Sequence, residues 1–196
     1  MCKLKSMIAL KGRIYMADAD SHSDMLNELG ISDDYLGASK KFVRLELSPE
    51  DGDPFSDVDT WTLKVDQDIK PDWYSDEEYK PMAVEAVKEW AKKHIFVGVD
   101  GLKLNTGTNY YIKDCKDVEI TGSASVKAWD SASVKACGSA IVFNSTCFYW
   151  KKQSSLVLYE NATFKDNIGK VIYQSGDFKL VSVESGKTVS ELAKGC

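Results

Sequence analysis

The sequence predicts an α+β protein in two parts. Residues 1–96 read as a small N-terminal α+β domain, and residues 97–196 as a short β-solenoid-like repeat region with a C-terminal capping hairpin. Three observations carry this reading. Apolar residues of the first half alternate with period two in short stretches and recur at helical spacing elsewhere. The second half repeats itself every eight residues. The charge changes between the two: residues 1–100 hold 13 Lys/Arg and 21 Asp/Glu, residues 101–196 hold 12 and 9.

The first half is read element by element. Lys5 to Met16 suits an edge strand or a hairpin. Ser21 or Ser23 can cap a short helix through Met25, Leu26 and Leu29, and Gly30 suits its left-handed stop. From Phe42 to Leu47, Val43, Leu45 and Leu47 share one face and Arg44 and Glu46 the other, which is a half-buried strand. A turn follows in PEDGDPF, and Trp61, Leu63 and Val65 then alternate with Thr62, Lys64 and Asp66 in a second strand. Ser75 and Glu78 have capping-box spacing, with acids in the first helical turn. Pro81 fits that helix only in its first turn. Ala83, Val87, Trp90, Ala91 and His94 supply its apolar stripe.

In the second half, rows of eight from Gly122 read GSASVKAW, DSASVKAC, GSAIVFNS, TCFYWKKQ and SSLVLYEN. The third column is Ala124, Ala132, Ala140, Phe148 and Leu156. The fifth is Val126, Val134, Val142, Trp150 and Leu158, and an upstream row keeps Val118 in place. A unit this short cannot bury a face alone, so stacked copies must share a ladder of like side chains. Gly, Asp and Ser at the row starts supply the corners. Strands are expected from Asp114 to Asn161 with the four valines inward. Lys170 to Glu184 alternates about Ser175-Gly-Asp, which reads as the capping hairpin.

Several chemistries lack their residues. Cys2, Cys115, Cys137, Cys147 and Cys196 are odd in number and widely spaced, unlike a zinc site, and read as free thiols of a reducing cytoplasm. His22 and His94 stand without a nucleophile motif, and His94 falls on an apolar stripe. Asp-x-Asp occurs at Asp18/Asp20, Asp51/Asp53, Asp57/Asp59 and Asp66/Asp68, without the further oxygens of a calcium loop. Placed on strands, such pairs would make a solvated acidic face. No phosphate loop, dinucleotide fingerprint or basic aromatic patch occurs. No apolar run is long enough to span a membrane, and the N-terminal patch Met7 to Leu10 is shorter than a secretory h-region. The expectation is therefore a cytoplasmic protein, not an enzyme, with no cofactor and no metal.

The strongest chemical signal is charge. Between Glu46 and Glu78 stand twelve acids against Lys64 and Lys70. Trp61, Trp73, Tyr74 and Tyr79 are interleaved with them. These aromatics fit plain packing of the loop on the helix; they equally fit anchors within a carboxylate field that engages an Arg/Lys-rich groove. On the second reading the partner-binding residues are Asp51, Asp53, Asp57, Asp59, Asp66, Asp68, Asp72, Trp73, Tyr74, Asp76 and Glu77.

The stretches FVRLELSPEDGDPF (Phe42 to Phe55) and WTLKVDQDIKPDWY (Trp61 to Tyr74), a helix, and octads of the VKAWDSASVKA type resemble uncharacterised proteins of gut-bacterial phages and prophages. The resemblance covers most of the chain, although only two octads here are close to regular, and it brings no catalytic residue. It implies a mobile-element origin. By analogy with small acidic phage proteins, it also implies an inhibitor of a host defence nuclease, anti-CRISPR proteins among them. The expected partner is a basic, nucleic-acid-binding host protein, such as a CRISPR effector, with no direct nucleic-acid or membrane contact. The alternative is a structural or assembly protein that uses the repeat region as its interaction surface, and a third is an enzyme with an acidic metal site.

Overall fold

In the computed structural model, residues 4–18, 20–33, 40–105, 109–130 and 132–144 are described, together with strands at 155–158, 163–165, 171–174 and 179–180. The chain is of mixed α and β type, with two α-helices and three sheets among these residues. Its contacts divide it into Met1–Lys93 and His94–Cys196.

In the first unit, β1 (Lys5–Leu10), β2 (Arg13–Tyr15), β3 (Phe42–Ser48) and β4 (Thr62–Val65) form an antiparallel sheet of order β2-β1-β3-β4. Helix α1 (His22–Glu28) starts at Ser21, whose side chain accepts the Asp24 amide at 3.2 Å. It ends where Gly30 adopts φ +66° and the Ile31 and Gly30 amides return to the Leu26 and Asn27 carbonyls. That is a Schellman stop, which glycine permits because it has no Cβ. Helix α2 (Asp76–His94) opens with Ser75 Oγ accepting the Glu78 amide at 3.2 Å and three acids at its positive end.

Three expectations for this unit are decided or corrected. First, of the edge strand or hairpin expected at Lys5 to Met16 the hairpin forms: β1 and β2 pair antiparallel, and β1 lies between β2 and β3 with all six of its residues buried. Second, β3 is covered on both faces. Ile8, Leu10 and Phe42 pack under Met25 and Leu26 of α1 on one face. Lys5, on the other face of β1, lies beneath Trp90 of α2. Glu46, which alternation placed in solvent, is therefore only 5% exposed. Third, Pro81 lies inside α2, five residues after Asp76, and not in the first turn. Its missing amide is one that a helix normally bonds to the carbonyl four residues earlier, so the ladder there carries one hydrogen bond fewer.

The described residues of the second unit form two sheets. The six-stranded one contains β5 (Ile95–Val97), β7 (Asn109–Lys113), β9 (Ser125–Trp129), β11 (Ile141–Asn144), β13 (Thr163–Lys165) and β14 (Val171–Gln174). The five-stranded one contains β6 (Lys103–Leu104), β8 (Val118–Ile120), β10 (Ser133–Ala136), β12 (Ser155–Leu158) and β15 (Lys179–Leu180). Pairing is parallel through most of both. Tyr110 lies beside Val126, Val126 beside Val142 and Val118 beside Val134, each pair 16 positions apart. Consecutive octads therefore belong to different sheets, and like residues meet two octads away.

The four fifth-column valines all point inward, at 0–2% exposure, and third-column Ala124, Ala132 and Ala140 are fully buried with them in one cluster. The corners need left-handed backbone. Gly98, Asp114 and Asp130 have φ of 65°, 52° and 52°, and Gly101 and Asp117 have 73° and 53°. Aspartate tolerates this region better than most side chains. Gly122 and Gly138 are more constrained: a Cβ on Gly122 would lie 2.8 Å from the Asn105 carbonyl oxygen, and one on Gly138 would lie 3.0 Å from that of Gly122.

The octad columns do not continue past residue 144 as the sequence rows predict. Leu156 lies opposite Val134, a fifth-column residue, and Phe164 opposite Val142, so the spacing between neighbours grows to 22. Phe148 and Trp150 lie outside the described residues. The capping hairpin is also corrected. Strand β14 pairs antiparallel with β13 and β15 antiparallel with β12, so each ends a different sheet and they do not pair with each other. The Ser175-Gly-Asp turn lies outside the described residues.

Two outcomes test this register. Val134→Asp places an unpaired carboxylate in the ladder and should lower stability by roughly 3 kcal/mol or more, read as a circular-dichroism melt. Gly122→Asp should cost at least about 2 kcal/mol, whereas Gly98→Asp, which copies Asp114 and Asp130 into open space, should stay within about 1 kcal/mol of wild type. Equal melting of the two glycine variants would contradict the corner assignment.

Candidate interaction surface

The acidic run is mostly surface. Of its twelve acids, Glu46 is buried and Asp53 half-buried; Glu50, Asp51, Asp57, Asp59, Asp66, Asp68, Asp72, Asp76, Glu77 and Glu78 are exposed. None of the four Asp-x-Asp pairs lies on a strand, which corrects the expected acidic strand face. Asp51/Asp53 form turns, Asp57/Asp59 open a short 3-10 turn at Val58–Thr60, and Asp66/Asp68 follow the end of β4. The pairs therefore lack the regular spacing of a strand.

The acids divide by what they do locally. Asp51, Asp53 and Asp57 each accept the backbone amide two residues ahead at 3.0 Å, because a short carboxylate can close such a turn. Asp59 accepts from Lys88 at 2.7 Å, and this bond, with the surrounding negative charge, raises the Lys88 pKa. Asp66 lies 3.6 Å from the Lys64 ammonium and 3.7 Å from Nδ1 of His22, whose Nε2 donates to the Leu45 carbonyl at 3.0 Å. Asp76 lies 3.5 Å from Lys70. Asp68, Asp72 and Glu77 have no ion-pair partner among the described residues.

The aromatics divide as well. Trp61 is fully buried and donates to Ser56 Oγ at 3.0 Å. Tyr74 is buried and stacks on Tyr79 with centroids 5.1 Å apart, while the Lys70 ammonium lies 5.5 Å from the centroid of its ring. Burial first, and the Asp76 carboxylate second, push the Tyr74 phenol pKa well up. Tyr79 reaches the β1–β2 turn, donating to the Leu10 carbonyl at 3.0 Å and accepting the Gly12 amide at 2.8 Å. Trp73 is half-buried, its indole held by the Lys40 carbonyl at 2.9 Å.

Sequence reasoning missed two residues of this surface. Ile69 is 55% exposed, between Asp68 and Lys70. Gln67 fixes it there: its amide donates to the Ile69 carbonyl at 2.6 Å and its oxygen accepts the Arg44 amide at 2.9 Å, extending the β3 edge beyond β4. The available signal was an apolar residue flanked by charge just past the end of an alternating strand. A cleft of about 580 Å³ adjoins the Asp51 turn, lined by Leu4, Ser48, Pro49, Glu50, Asp51, Gly52 and Thr62.

Other chemistry is sparse among the described residues. No group of three His, Cys, Asp or Glu there could hold a metal ion. His94 is buried and stacks on Tyr110 at 5.4 Å. Cys115 is buried and Cys137 half-buried, both free thiols. Asp20 of the Asp18/Asp20 pair is tied to the buried Lys5 ammonium at 2.8 Å. No helix there is long and apolar enough to cross a membrane. Comparison of the chain with protein families, with curated proteins and with solved structures finds no match.

The division of labour among the acids is measurable. Asp57→Ala removes the cap of the 3-10 turn and should destabilise the protein by about 1 kcal/mol, whereas Asp68→Ala should change stability by less than about 0.5 kcal/mol. Denaturant midpoints at a shared slope read both.

Proposed function

We propose that the protein is a non-enzymatic binding protein of phage or mobile-element origin that inhibits a host defence nuclease, in the manner of an anti-CRISPR protein. It acts in the cytoplasm of a bacterial host, by presenting carboxylates where its basic, nucleic-acid-binding partner expects phosphates. The observation that carries this reading is the exposure of ten carboxylates within one run of the chain, of which Asp66, Asp76 and Asp59 pair with Lys64, Lys70 and Lys88. A field of that sign repels nucleic acid and attracts a groove lined by Arg and Lys. The backbone amides that hold Asp51, Asp53 and Asp57 fix their directions before binding, which lowers the ordering entropy of a complex.

For the second unit, the proposal is a two-sheet β-solenoid with two octads, 16 residues, per coil. The parallel register supports it, and the turn geometry repeats at the same interval. In the alternative function, the solenoid is an assembly surface of a mobile-element particle. The antiparallel β14 and β15 weigh against growth by stacking at that end, because they interrupt the parallel register in both sheets.

The test is competition. The partner is captured from host lysate, purified, and mixed with the protein and with the partner's own nucleic acid. Nucleic acid should displace the protein, and affinity should fall steeply with added salt. The triple variant Asp68→Lys, Asp72→Lys, Glu77→Gln, which touches no capping aspartate and puts no cation at the start of α2, should lose more than about 10-fold in affinity while its stability stays within about 1 kcal/mol of wild type. Simultaneous binding of protein and nucleic acid, or undiminished binding by the triple variant, would sink the acidic-mimic reading.

A further inference from the structure

We infer that the loop between β4 and α2 holds a subsite for one arginine side chain of a basic protein segment, and that Lys70 occupies this subsite in the free protein. The inference rests on the binding reading above and names the contact it uses. The Lys70 ammonium lies 5.5 Å from the centroid of the Tyr74 ring and 3.5 Å from Asp76 Oδ1. A ring face and a carboxylate thus already converge on a positive charge.

The floor of the subsite is rigid. Tyr74 stacks on the fully buried Tyr79, and Trp73 stands edge-on to Tyr74 with centroids 6.3 Å apart and an interplanar angle of 75°. The occupant is loosely held, because Lys70 is 46% and Asp76 64% exposed. Exposed pairs of this kind contribute little, so another cation can replace this one. Arginine suits the position better than lysine: its planar guanidinium lies flat on a ring and can bond a carboxylate through two N–H groups.

The surroundings select for sign and for a neighbour. Asp68 and Asp72 flank the loop without ion-pair partners among the described residues. Ile69, adjacent in the chain and 55% exposed, offers an apolar contact to the residue beside the arginine. The matching segment is an arginine next to an apolar side chain, and the subsite needs no metal and no cofactor.

The test uses the free full-length protein and acetyl-Arg-Leu amide as probe, followed by NMR. Saturable shifts are expected at the Trp73 indole and the Tyr74 and Asp76 amides. Lys70→Met should tighten binding about 3-fold by removing the competitor, the scale of one exposed cation–π contact. Lys64→Met is the control: it removes an equal charge from the pair with Asp66, and should leave affinity within about 1.5-fold, the scale of one screened surface charge. Absence of shifts at the three reporters, or equal tightening by both lysine variants, would overturn the subsite, the latter by reducing it to net charge. The partner is absent from this measurement, so the two readings fail separately. Failed titration with intact nucleic-acid competition removes the subsite alone. Successful titration without competition leaves an arginine subsite on a protein whose function is not nucleic-acid mimicry.

Discussion

Up to residue 144 the second unit depends on one constraint: a parallel strand returns beside its predecessor after 16 residues. Each return crosses two sheets and the connections between them. Left-handed backbone recurs at residues 98, 114 and 130, at 101 and 117, and at 122 and 138, the same interval as the strand register. The octads' inward side chains, Val118, Val126, Val134 and Val142 with the intervening alanines, are mostly small and share one cluster with the larger Leu104, Tyr110, Ile112 and Ile120. The faces turned away from that cluster carry pairs between neighbouring parallel strands, such as Lys103 with Glu119 at 3.5 Å and Lys127 over the buried Tyr111 ring at 5.1 Å. Once the interval is set, corner chemistry and outer pairing follow.

The first unit is organised around a buried charge. Lys5 is fully buried, and its ammonium donates to the Ala17 carbonyl at 2.8 Å and to Asp20 at 2.8 Å while lying 5.1 Å from the Trp90 ring centroid. An ion removed from water persists only if its donors are met, and here backbone, carboxylate and ring all converge on it. The arrangement ties β1, the chain after β2, and α2 together. The same stacking of helices on both sheet faces buries Glu46 and orders the Tyr79 latch.

What could be read from the sequence follows from where information is local. Helix starts at Ser21 and Ser75 and the stop at Gly30 are matters of a few neighbouring residues, and all were legible. The inward valines were legible because period two and period eight agree. The 16-residue spacing of paired strands was not, since SASVKAWD and SASVKACG look alike on whichever sheet they lie. Beyond residue 144 the columns misled: identity with the repeat had decayed, and nothing local places Leu156 beside Val134. Glu46 was misread because alternation says which residues share a face, not whether a helix covers it. At the candidate site, charge was legible and geometry was not. Asp57 and Asp68 are equivalent in composition, yet one closes a turn and the other faces solvent.

That last distinction bears on how an acidic segment can serve both stability and binding. Carboxylates recruited as turn caps are held in place by backbone amides, and replacing them unsettles the loop. Carboxylates without such duties can be changed freely by selection for a partner. In this chain the two kinds are separated along the sequence: Asp51, Asp53 and Asp57 close turns before β4, whereas Asp68 and Asp72 follow it. Beside them stand Ile69, anchored by Gln67, and Trp73, held by the Lys40 carbonyl. A surface whose charges are expendable for folding while its apolar contacts are fixed by hydrogen bonds can alter its specificity without losing its shape. The stretch after β4 meets both conditions, whereas the turns before it depend on their carboxylates and fail the first.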